Sequence, residues 1–394
     1  MRKIGTQATG IRLPIISKGD DLPNIVVDSL LEATEQHNIK LNNSDVVCIT
    51  EAIVAKAQGN YVSSDDIASD VAAAFPDGTV GVVFPILSRN RFLGILKGIV
   101  KGASKRVIIL LEYPSDEVGN PSMDISALDD LNERVLDGEV NLPIKAAEFR
   151  KLVGSFSHPF TGVDYTALYE GMGSHIEVYF SRDARDILRH TKNIIICEVH
   201  KREHTRARLM RSGAEKVLTL AELCTTPGEE GGYNPEVGLL GSNLAGEGRL
   251  KLFPREGNTF VASIQSLLRE KTGVAPEVMI YGDGAFKDPA HGIWELADPT
   301  VSPGHTPRLA GQPNEIKLKY VSDNLFSALS GEAKREAVIK MIREKPPVAQ
   351  HSEGTTPRKI SDLLGSLCDL MSGSGDKGTP VVLVQGYFDD YSVE

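Results

Sequence analysis

Cysteines, aromatic residues and long apolar runs are all scarce in this sequence, and each shortage excludes a class of protein. The 394 residues include 4 cysteines and no C-x-x-C pair, which argues against a zinc site on paired cysteines and against a disulfide-stabilised secreted domain. No apolar run approaches the roughly 20 residues that span a bilayer. The start, MRKIGTQATG, carries no long apolar core, so we predict no signal peptide and a cytoplasmic location.

Positive charge is also in short supply. The chain has 43 Lys and Arg residues against 53 Asp and Glu residues, which gives a net charge of -10. Because a negative molecule is repelled by the phosphate backbone of nucleic acids, we expect no nucleic-acid partner. The lack of an apolar run long enough to span a bilayer predicts no membrane partner. A local basic pocket for one nucleotide remains compatible with this charge.

Seven short β-rich runs alternate irregularly with helical patterns. Apolar residues at helical spacing predict helices in IVVDSLLEATEQH, FVASIQSLLREKTG and ISDLLGSLCDLM. No G-x-G-x-x-G follows a strand, which argues against a Rossmann domain. The mixture predicts an α+β fold with mixed sheets and packed helices, and the length favours more than one domain. The predicted strands are VVCIT (46–50), VGVVF (80–84), RVIILL (106–111), IEVYF (176–180), NIIICEV (193–199), EVMIY (277–281) and PVVLVQGY (380–387).

One aspartate follows a predicted strand and stands between two glycines. In VMIYGDGAFKDP the strand ends at Tyr281, and Asp283 lies between Gly282 and Gly284. The simpler interpretation is a turn aspartate that hydrogen-bonds its own backbone. The glycines would also leave the carboxylate accessible to a metal ion that carries phosphate oxygens.

Two segments combine a lysine with neighbouring glycines. Lys56, in TEAIVAKAQGN, stands at the end of a second predicted strand, either as a solvated strand end or as a point charge for a phosphate. In SGSGDKG, the amides of Gly373, Gly375 and Gly378 could form an anion nest assisted by Lys377. This segment is not a Walker A motif, because a strand follows it instead of a helix.

Two other segments have simpler interpretations beside a functional one. The glycine-rich segment 234–257, with Asn243 near its tip, is either a hairpin with turn glycines or a loop that approaches a ligand. His200 and His204 have the spacing of metal ligands on a helix, but the arginines and lysines around them would repel a dication. We therefore predict a basic, solvated helix there.

Five segments resemble, in the same order along the chain, the F420-0:L-glutamate ligases, which are the γ-glutamyl ligases of the deazaflavin coenzyme F420. The resemblance implies a mixed α+β fold, commonly a homodimer, and GTP-dependent amide-bond formation with Mg²⁺ or Mn²⁺. The five segments are RLPII with KGDDL, TEAIVAKAQGN, LLGSN with LKLFPRE, VMIYGDGAFKDP and DLMSGSGDKGTPVVLVQGY.

The resemblance also implies roles for individual residues. Lys56 and Asp283 would be catalytic, with Asp283 as a metal ligand. Arg255 or Lys287 would hold the carboxylates of glutamate. The residues that would bind the nucleotide are Leu13, Pro14, Ile15, Ile16, Glu51, Lys56, Asn243, Gly373, Gly375, Lys377 and Gly378.

Two positions depart from the family. Leu240 stands where the family has its other metal-binding aspartate, and Gly284 stands where it has a threonine. Because leucine cannot bind a metal, another carboxylate would have to complete the metal site. The candidates are Glu236, Glu247, Asp288 and Asp298.

Three functions are compatible with these observations. The first is a GTP- and metal-dependent ligase that joins L-glutamate to a carboxylate acceptor, either the F420 precursor or a similar molecule, through an acyl phosphate. The second is a non-catalytic nucleotide-binding or regulatory protein on the same fold, which Leu240 favours. The third is a phosphatase with Asp283 as nucleophile, which the lack of a D-x-D pattern disfavours.

The resemblance divides the chain into three parts. Residues 1–112 and 231–394 would form the ligase core, with a polar insertion near 300–358. Residues 113–230 have no recognisable counterpart and would form an inserted subdomain. The polar composition of residues 113–150 and 330–358 predicts linkers or insertions there, not core.

Overall fold

The computed structural model describes residues 3–88, 90–154, 157–158, 162–246, 248–282, 300–345, 358–372, 376–390 and 392. Within these ranges the chain is mixed α/β, with helices packed on mixed sheets, and this confirms the predicted fold class. No described helix is long and apolar enough to cross a membrane. Asp283, Gly373 and Gly375 lie outside the described residues, as do Lys287 and three of the substitute carboxylates, Glu247, Asp288 and Asp298.

Seven of the strands coincide with the seven predicted runs, with ends that differ by up to three residues. The strands are β1 (Gln7–Ile11), β2 (Val46–Thr50), β3 (Tyr61–Ser63), β4 (Thr79–Val83), β5 (Arg106–Glu112), β6 (Ile144–Lys145), β7 (Ile176–Ser181), β8 (Asn193–Ile196), β9 (Lys216–Thr219), β10 (Asn243–Leu244), β11 (Arg249–Lys251), β12 (Glu277–Tyr281), β13 (Gly304–His305) and β14 (Val381–Gln385).

The three predicted helices are present as α1, α9 and α12. The α-helices are α1 (Leu22–Gln36), α2 (Glu51–Ala57), α3 (Ser64–Ala74), α4 (Leu93–Gly102), α5 (Ile125–Leu136), α6 (Ala146–Val153), α7 (Tyr165–Glu170), α8 (Arg202–Arg211), α9 (Gly257–Thr272), α10 (Leu318–Tyr320), α11 (Gly331–Glu344) and α12 (Ile360–Met371). Short 3₁₀ helices cover Ala184–Arg189, Leu220–Glu222 and Pro307–Leu309, and a π-helix covers Val321–Leu325.

The chain forms two compact units. The first contains the described residues up to Ala57, those from Glu256 to Gly282, and those from Thr300 onward; the second runs from Gln58 to Arg255. The predicted boundaries at 112 and 230 are therefore not the limits of the two units. That residues 113–230 were added to a ligase core remains a prediction.

The first unit is built on a five-stranded sheet of order β1-β14-β2-β12-β13. β2 pairs in parallel with β12 and antiparallel with β14. Every residue of β2 and β12 is buried, as expected for central strands that are covered on both faces. Residues of α1 and α9 pack on one face, and residues of α12 pack on the other.

The second unit contains a six-stranded sheet of order β6-β7-β5-β4-β8-β9. The five strands from β7 to β9 in that order are mutually parallel, and only β6 is antiparallel. The parallel strands have the order of a doubly wound sheet, which the sequence analysis did not predict. The connections between the parallel strands vary widely in length. The turn after β4, the first of these strands along the chain, has no glycine motif of the kind that binds phosphate.

The prediction of a linker at residues 113–150 is wrong. This region contains α5 and most of α6, and Met123, Leu131 and Phe149 are fully buried in the core of the second unit. The apolar residues of both helices are separated by charged ones at helical spacing, so the mean composition of the region hides an amphipathic pattern.

Helices α3 and α4 of the second unit pack very closely because α4 presents a glycine to α3. A Cβ atom at Gly98 would lie 2.5 Å from the Cβ of Ile67 and 3.1 Å from the Ser64 carbonyl oxygen. These separations are shorter than van der Waals contact, so any larger residue at position 98 must push the two helices apart.

We therefore predict that Gly98→Ala lowers the free energy of unfolding by about 1–2 kcal/mol, because overpacking outweighs the gain of about 1 kcal/mol in helix propensity. Chemical denaturation would measure the change. Gly5→Ala is the control, since nothing lies within 4 Å of a Cβ at Gly5. Equal stability of the two variants would contradict the close packing.

Candidate functional site

Most of the sequence-predicted nucleotide residues that the structure describes meet at one edge of the five-stranded sheet. The register pairs Ile11 with Val381, Val381 with Ile49, and Thr50 with Tyr281. The exits of β1, β2 and β12 and the entry of β14 therefore lie along the same edge. Residues 12–16 follow β1 and residues 51–56 follow β2 at this edge, and residues 376–380 precede β14 there.

The segment after β1 is held against its neighbours by backbone hydrogen bonds. The Leu13 N–H donates to the Gly378 carbonyl at 3.1 Å, and the Gly19 N–H donates to the Ala57 carbonyl at 2.9 Å. Ile16 is buried in the core of the unit, whereas Ile15 is 90% exposed. An exposed isoleucine beside Pro14 gives this edge an apolar surface of the kind that contacts a nucleobase.

Glu51 and Lys56 lie on α2, and the second strand predicted at this position is wrong. The run EAIVAKA is rich in good helix formers, and its charges match the helix dipole, with Glu51 in the first turn and Lys56 in the last. Glu51 is buried and Lys56 is exposed. The helix therefore exposes the Lys56 ammonium to solvent. The next residue, Ala57, accepts the hydrogen bond from Gly19 that anchors the loop after β1.

Gly378 gives the entry to β14 its conformation. Its φ is +65°, a left-handed backbone that favours glycine. Its carbonyl accepts the hydrogen bond from Leu13, while Lys377 beside it is exposed. Gly373 and Gly375 are outside the described residues, so the anion nest remains a prediction.

The remaining site residues lie in the second unit. Asn243 begins the short hairpin of β10 and β11, where it pairs with Lys251, so the hairpin interpretation of this glycine-rich segment is correct. Leu240 is 1% exposed and packs in the apolar core of the second unit. Glu236 is exposed.

A metal site is not present among the described residues. No group of three or more His, Cys, Asp or Glu side chains within those ranges is arranged to hold an ion. His204 lies on α8, which agrees with the predicted basic helix, whereas His200 precedes that helix. The metal role of Asp283 stays a prediction.

Arg255 is already engaged within the second unit. Its Nη1 atom donates to Asn60 Oδ1 at 2.6 Å, and its guanidinium stacks on Tyr233 at 4.5 Å. Asn60 is fully buried and also accepts from the Tyr233 N–H. This network favours a structural role for Arg255 over capture of a substrate carboxylate.

The sequence analysis missed a carboxylate cluster in the second unit. Glu112 ends β5, Asp116 and Glu117 follow it, and Glu198 lies just after β8. Burial raises the pKa of Asp116 to about 6 and that of Glu198 to about 7. The hydrogen bonds to these two carboxylates act in the opposite direction, but their effect is smaller. The signal was available in the sequence, because acidic residues directly follow the apolar runs RVIILL and NIIIC.

A model of a known protein family matches most of the chain. The model of the family described as F420-0:Gamma-glutamyl ligase matches residues 10–386, nearly the whole chain. No curated protein matches the chain.

We predict that Gly378→Ala lowers the free energy of unfolding by about 1 kcal/mol, because alanine resists the left-handed conformation although a Cβ there would meet nothing within 4 Å. Gly378→Asn should lose less, since asparagine tolerates this conformation best among residues with a side chain. Denaturant titration of both variants would test the order, and a more stable alanine variant would contradict it.

Proposed function

Because the chain belongs to the F420-0:gamma-glutamyl ligase family, we propose that it uses GTP and a divalent metal to join L-glutamate to a carboxylate acceptor, either the F420 precursor or a similar molecule. Membership itself makes it a ligase of F420 biosynthesis with small-molecule substrates. The nucleotide, the metal and the acyl phosphate are the parts that we propose. A homodimer and a cytoplasmic location remain predictions.

The proposed reaction has two transfers. A carboxylate is a poor electrophile, so an acceptor oxygen first attacks the γ-phosphorus of GTP, and the bond to the β-phosphate oxygen breaks to release GDP. The nitrogen of glutamate then attacks the carbonyl carbon of the acyl phosphate. The carbon–oxygen bond to phosphate breaks, inorganic phosphate leaves and the nitrogen loses a proton. Holding both substrates together supplies much of the acceleration.

The observation that carries this proposal is the meeting of three family segments at one edge of the five-stranded sheet. Backbone hydrogen bonds tie the loop after β1 both to Gly378 and to the end of α2. We propose that Leu13 to Ile16 contact the guanine, and that the Lys56 ammonium offsets phosphate charge with Lys377 beside it. Asn243 would contact the nucleotide by family resemblance.

We propose a divalent metal, Mg²⁺ or Mn²⁺, because resemblance to the family implies one. The same resemblance implies that Asp283 binds it. The described residues do not supply a site for it, since Leu240 replaces the family aspartate and Glu236 is exposed. When bound, it would neutralise charge on the phosphates of GTP.

A second candidate function is a nucleotide-binding protein without ligase activity on the same fold. The buried Leu240 favours it, because this position cannot contribute a ligand to the metal. The two functions differ in one measurement. The ligase consumes GTP only when both an acceptor and L-glutamate are present, whereas the binding protein is stabilised by GTP and turns over nothing.

We predict that GTP with Mg²⁺ or Mn²⁺ raises the melting temperature, because a ligand that binds only the folded state stabilises it. Lys56→Ala should lose most of this shift, since its ammonium would face the phosphates. Lys251→Ala is the control at a lysine of the second unit, and differential scanning fluorimetry measures both. Equal shifts in the two variants would refute the role of Lys56.

We predict that Asp283→Asn melts near the wild-type temperature without ligands but loses the joint stabilisation by GTP and metal. Turnover should fall on the order of a hundredfold or more, as when one key electrostatic group is removed. A turn aspartate would behave differently, because asparagine keeps most of its hydrogen bonds and activity would hardly change. Retained metal-dependent nucleotide binding would assign Asp283 to the turn and favour the binding protein.

A further inference from the structure

Helix α5 of the second unit presents an acidic surface to solvent. Residues 124–139, which contain this helix, include six acidic residues and one arginine, and all six carboxylates are exposed. The arginine, Arg134, is half-buried and lies 3.5 Å from a carboxylate oxygen of Asp130. The other five acids form no ion pair within the part of the chain that the structure describes. This surface therefore carries negative charge that nothing on the helix compensates.

Two large apolar side chains are exposed on the same helix. Ile125 is 65% exposed and Leu136 is 80% exposed. Their separation of 11 residues is close to three helical turns, so both lie on one face of α5, with Asp129 and Glu133 between them. Apolar side chains that are aligned among charged ones are typical of a helix face that contacts a partner.

Helix α8 and the 3₁₀ helix Ala184–Arg189 form a basic surface in the same unit. Together the two helices contain six arginines and two acidic residues, in a chain whose net charge is -10. Asp183 connects them, because its carboxylate accepts hydrogen bonds from Arg185 and from Arg208. Met210 of α8 is an apolar side chain that is 49% exposed. This surface therefore complements the acidic one, with the opposite charge and an exposed apolar residue of its own.

The acidic and basic surfaces are neighbours. Arg182, the residue before Asp183, donates a hydrogen bond to Asn132 Oδ1 of α5 at 2.9 Å. The Arg182 guanidinium also stacks on the Tyr113 ring, 4.9 Å from its centroid. Arg182 and Asp183 thus connect α5 to the basic surface. A twofold axis that passes between two adjacent, complementary surfaces sets each of them against the other surface of a second molecule.

From these surfaces we propose that two copies of the chain associate through their second units. The acidic face of α5 in one molecule contacts the basic surface of its partner, and the reverse contact forms at the same time. Isolated surface ion pairs contribute little to stability, so Ile125, Leu136 and Met210 form the centre of the contact and the charged residues surround it. The charges select which surfaces meet and accelerate the encounter.

This association is independent of the proposed ligase function. The five segments that carry the family resemblance all lie outside residues 113–230, whereas both surfaces lie within that range, so the resemblance does not imply this interface. The partner of the arginines is a second copy and not a nucleic acid, because the acidic surface beside them would repel a phosphate backbone.

Sedimentation velocity of the full chain tests the association. The wild type should form a dimer in about 0.05 M NaCl and a weaker dimer in about 0.5 M NaCl, because salt screens exposed charges. Asp129→Lys combined with Glu133→Lys reverses charge on the acidic surface and should weaken self-association about tenfold or more at low salt. Glu332→Lys combined with Glu336→Lys is the matched control, since it makes the same change at the same spacing on the exposed side of α11.

A second variant reverses charge on the basic surface. Arg185→Glu combined with Arg211→Glu changes two exposed arginines and should also weaken self-association about tenfold or more. A mixture of this variant with the acidic-surface variant decides which surfaces meet. The introduced lysines of one then face the introduced glutamates of the other, and the unaltered surfaces also match. The two variants should therefore form a complex with each other although neither associates with itself.

Leu136→Ser tests the apolar part of the contact without a change of charge. It should weaken the dimer and leave the melting temperature of the monomer nearly unchanged, because the side chain is exposed. Melting curves show whether each variant folds, and Leu136→Ser carries the test if a charge-reversal variant does not. A wild type that stays monomeric at low salt, folded variants that associate as the wild type does, or a mixture without a complex would overturn the proposal.

Discussion

The pairing of β2 with strands on both sides decides which segments meet at the candidate nucleotide site. Its parallel partner β12 and its antiparallel partner β14 come from the other end of the chain, more than 200 residues away. One register places the exits of two strands and the entry of a third along the same edge. A slip of one residue would turn every buried side chain of β2 to the opposite face and into the other apolar cluster. The close packing of the two different clusters therefore specifies this register.

Backbone hydrogen bonds then convert that edge into a defined surface. The loop after β1 is anchored to Gly378 on one side and to the end of α2 on the other. Neither anchor depends on a side chain, so the loop can present Pro14 and Ile15 to a ligand without using them for its own support. Lys56 is likewise not needed for the fold, because the helix that carries it is held by its buried isoleucine and valine.

In the second unit, the end of the parallel sheet is less completely hydrogen-bonded than this edge of the first unit. Its parallel sheet ends in carboxylates that are buried and incompletely hydrogen-bonded, an arrangement that lowers stability unless a ligand or a proton completes it. Burial of Glu198 keeps its carboxyl protonated in the fold at pH values where an unfolded chain would ionise it. The stabilising contribution of the protonated form is present below its usual pKa of 4.5 and is lost as pH rises toward 7.

Local pattern was sufficient for much of the fold. All seven β-rich runs are strands and the three amphipathic patterns are helices, because alternation and helical spacing report which side chains a single element buries. The family resemblance rested on the same local segments, and the match over residues 10–386 confirms it. The pattern failed at α2, where short apolar runs suit a strand or a helix equally, and at residues 113–150, where charged residues conceal amphipathic helices.

The amino-acid sequence by itself determined the types of the seven predicted strands and three predicted helices, the fold class and the family, since these depend on residues that are close along the chain. Tertiary structure alone decided the parallel order of the second sheet, the division of the chain after Ala57 and Arg255, and the meeting of Glu112 with Glu198. These depend on pairings between strands separated by tens to hundreds of residues. No local pattern encodes such a pairing, because the free energy that selects it comes from burying both faces of a whole sheet at once.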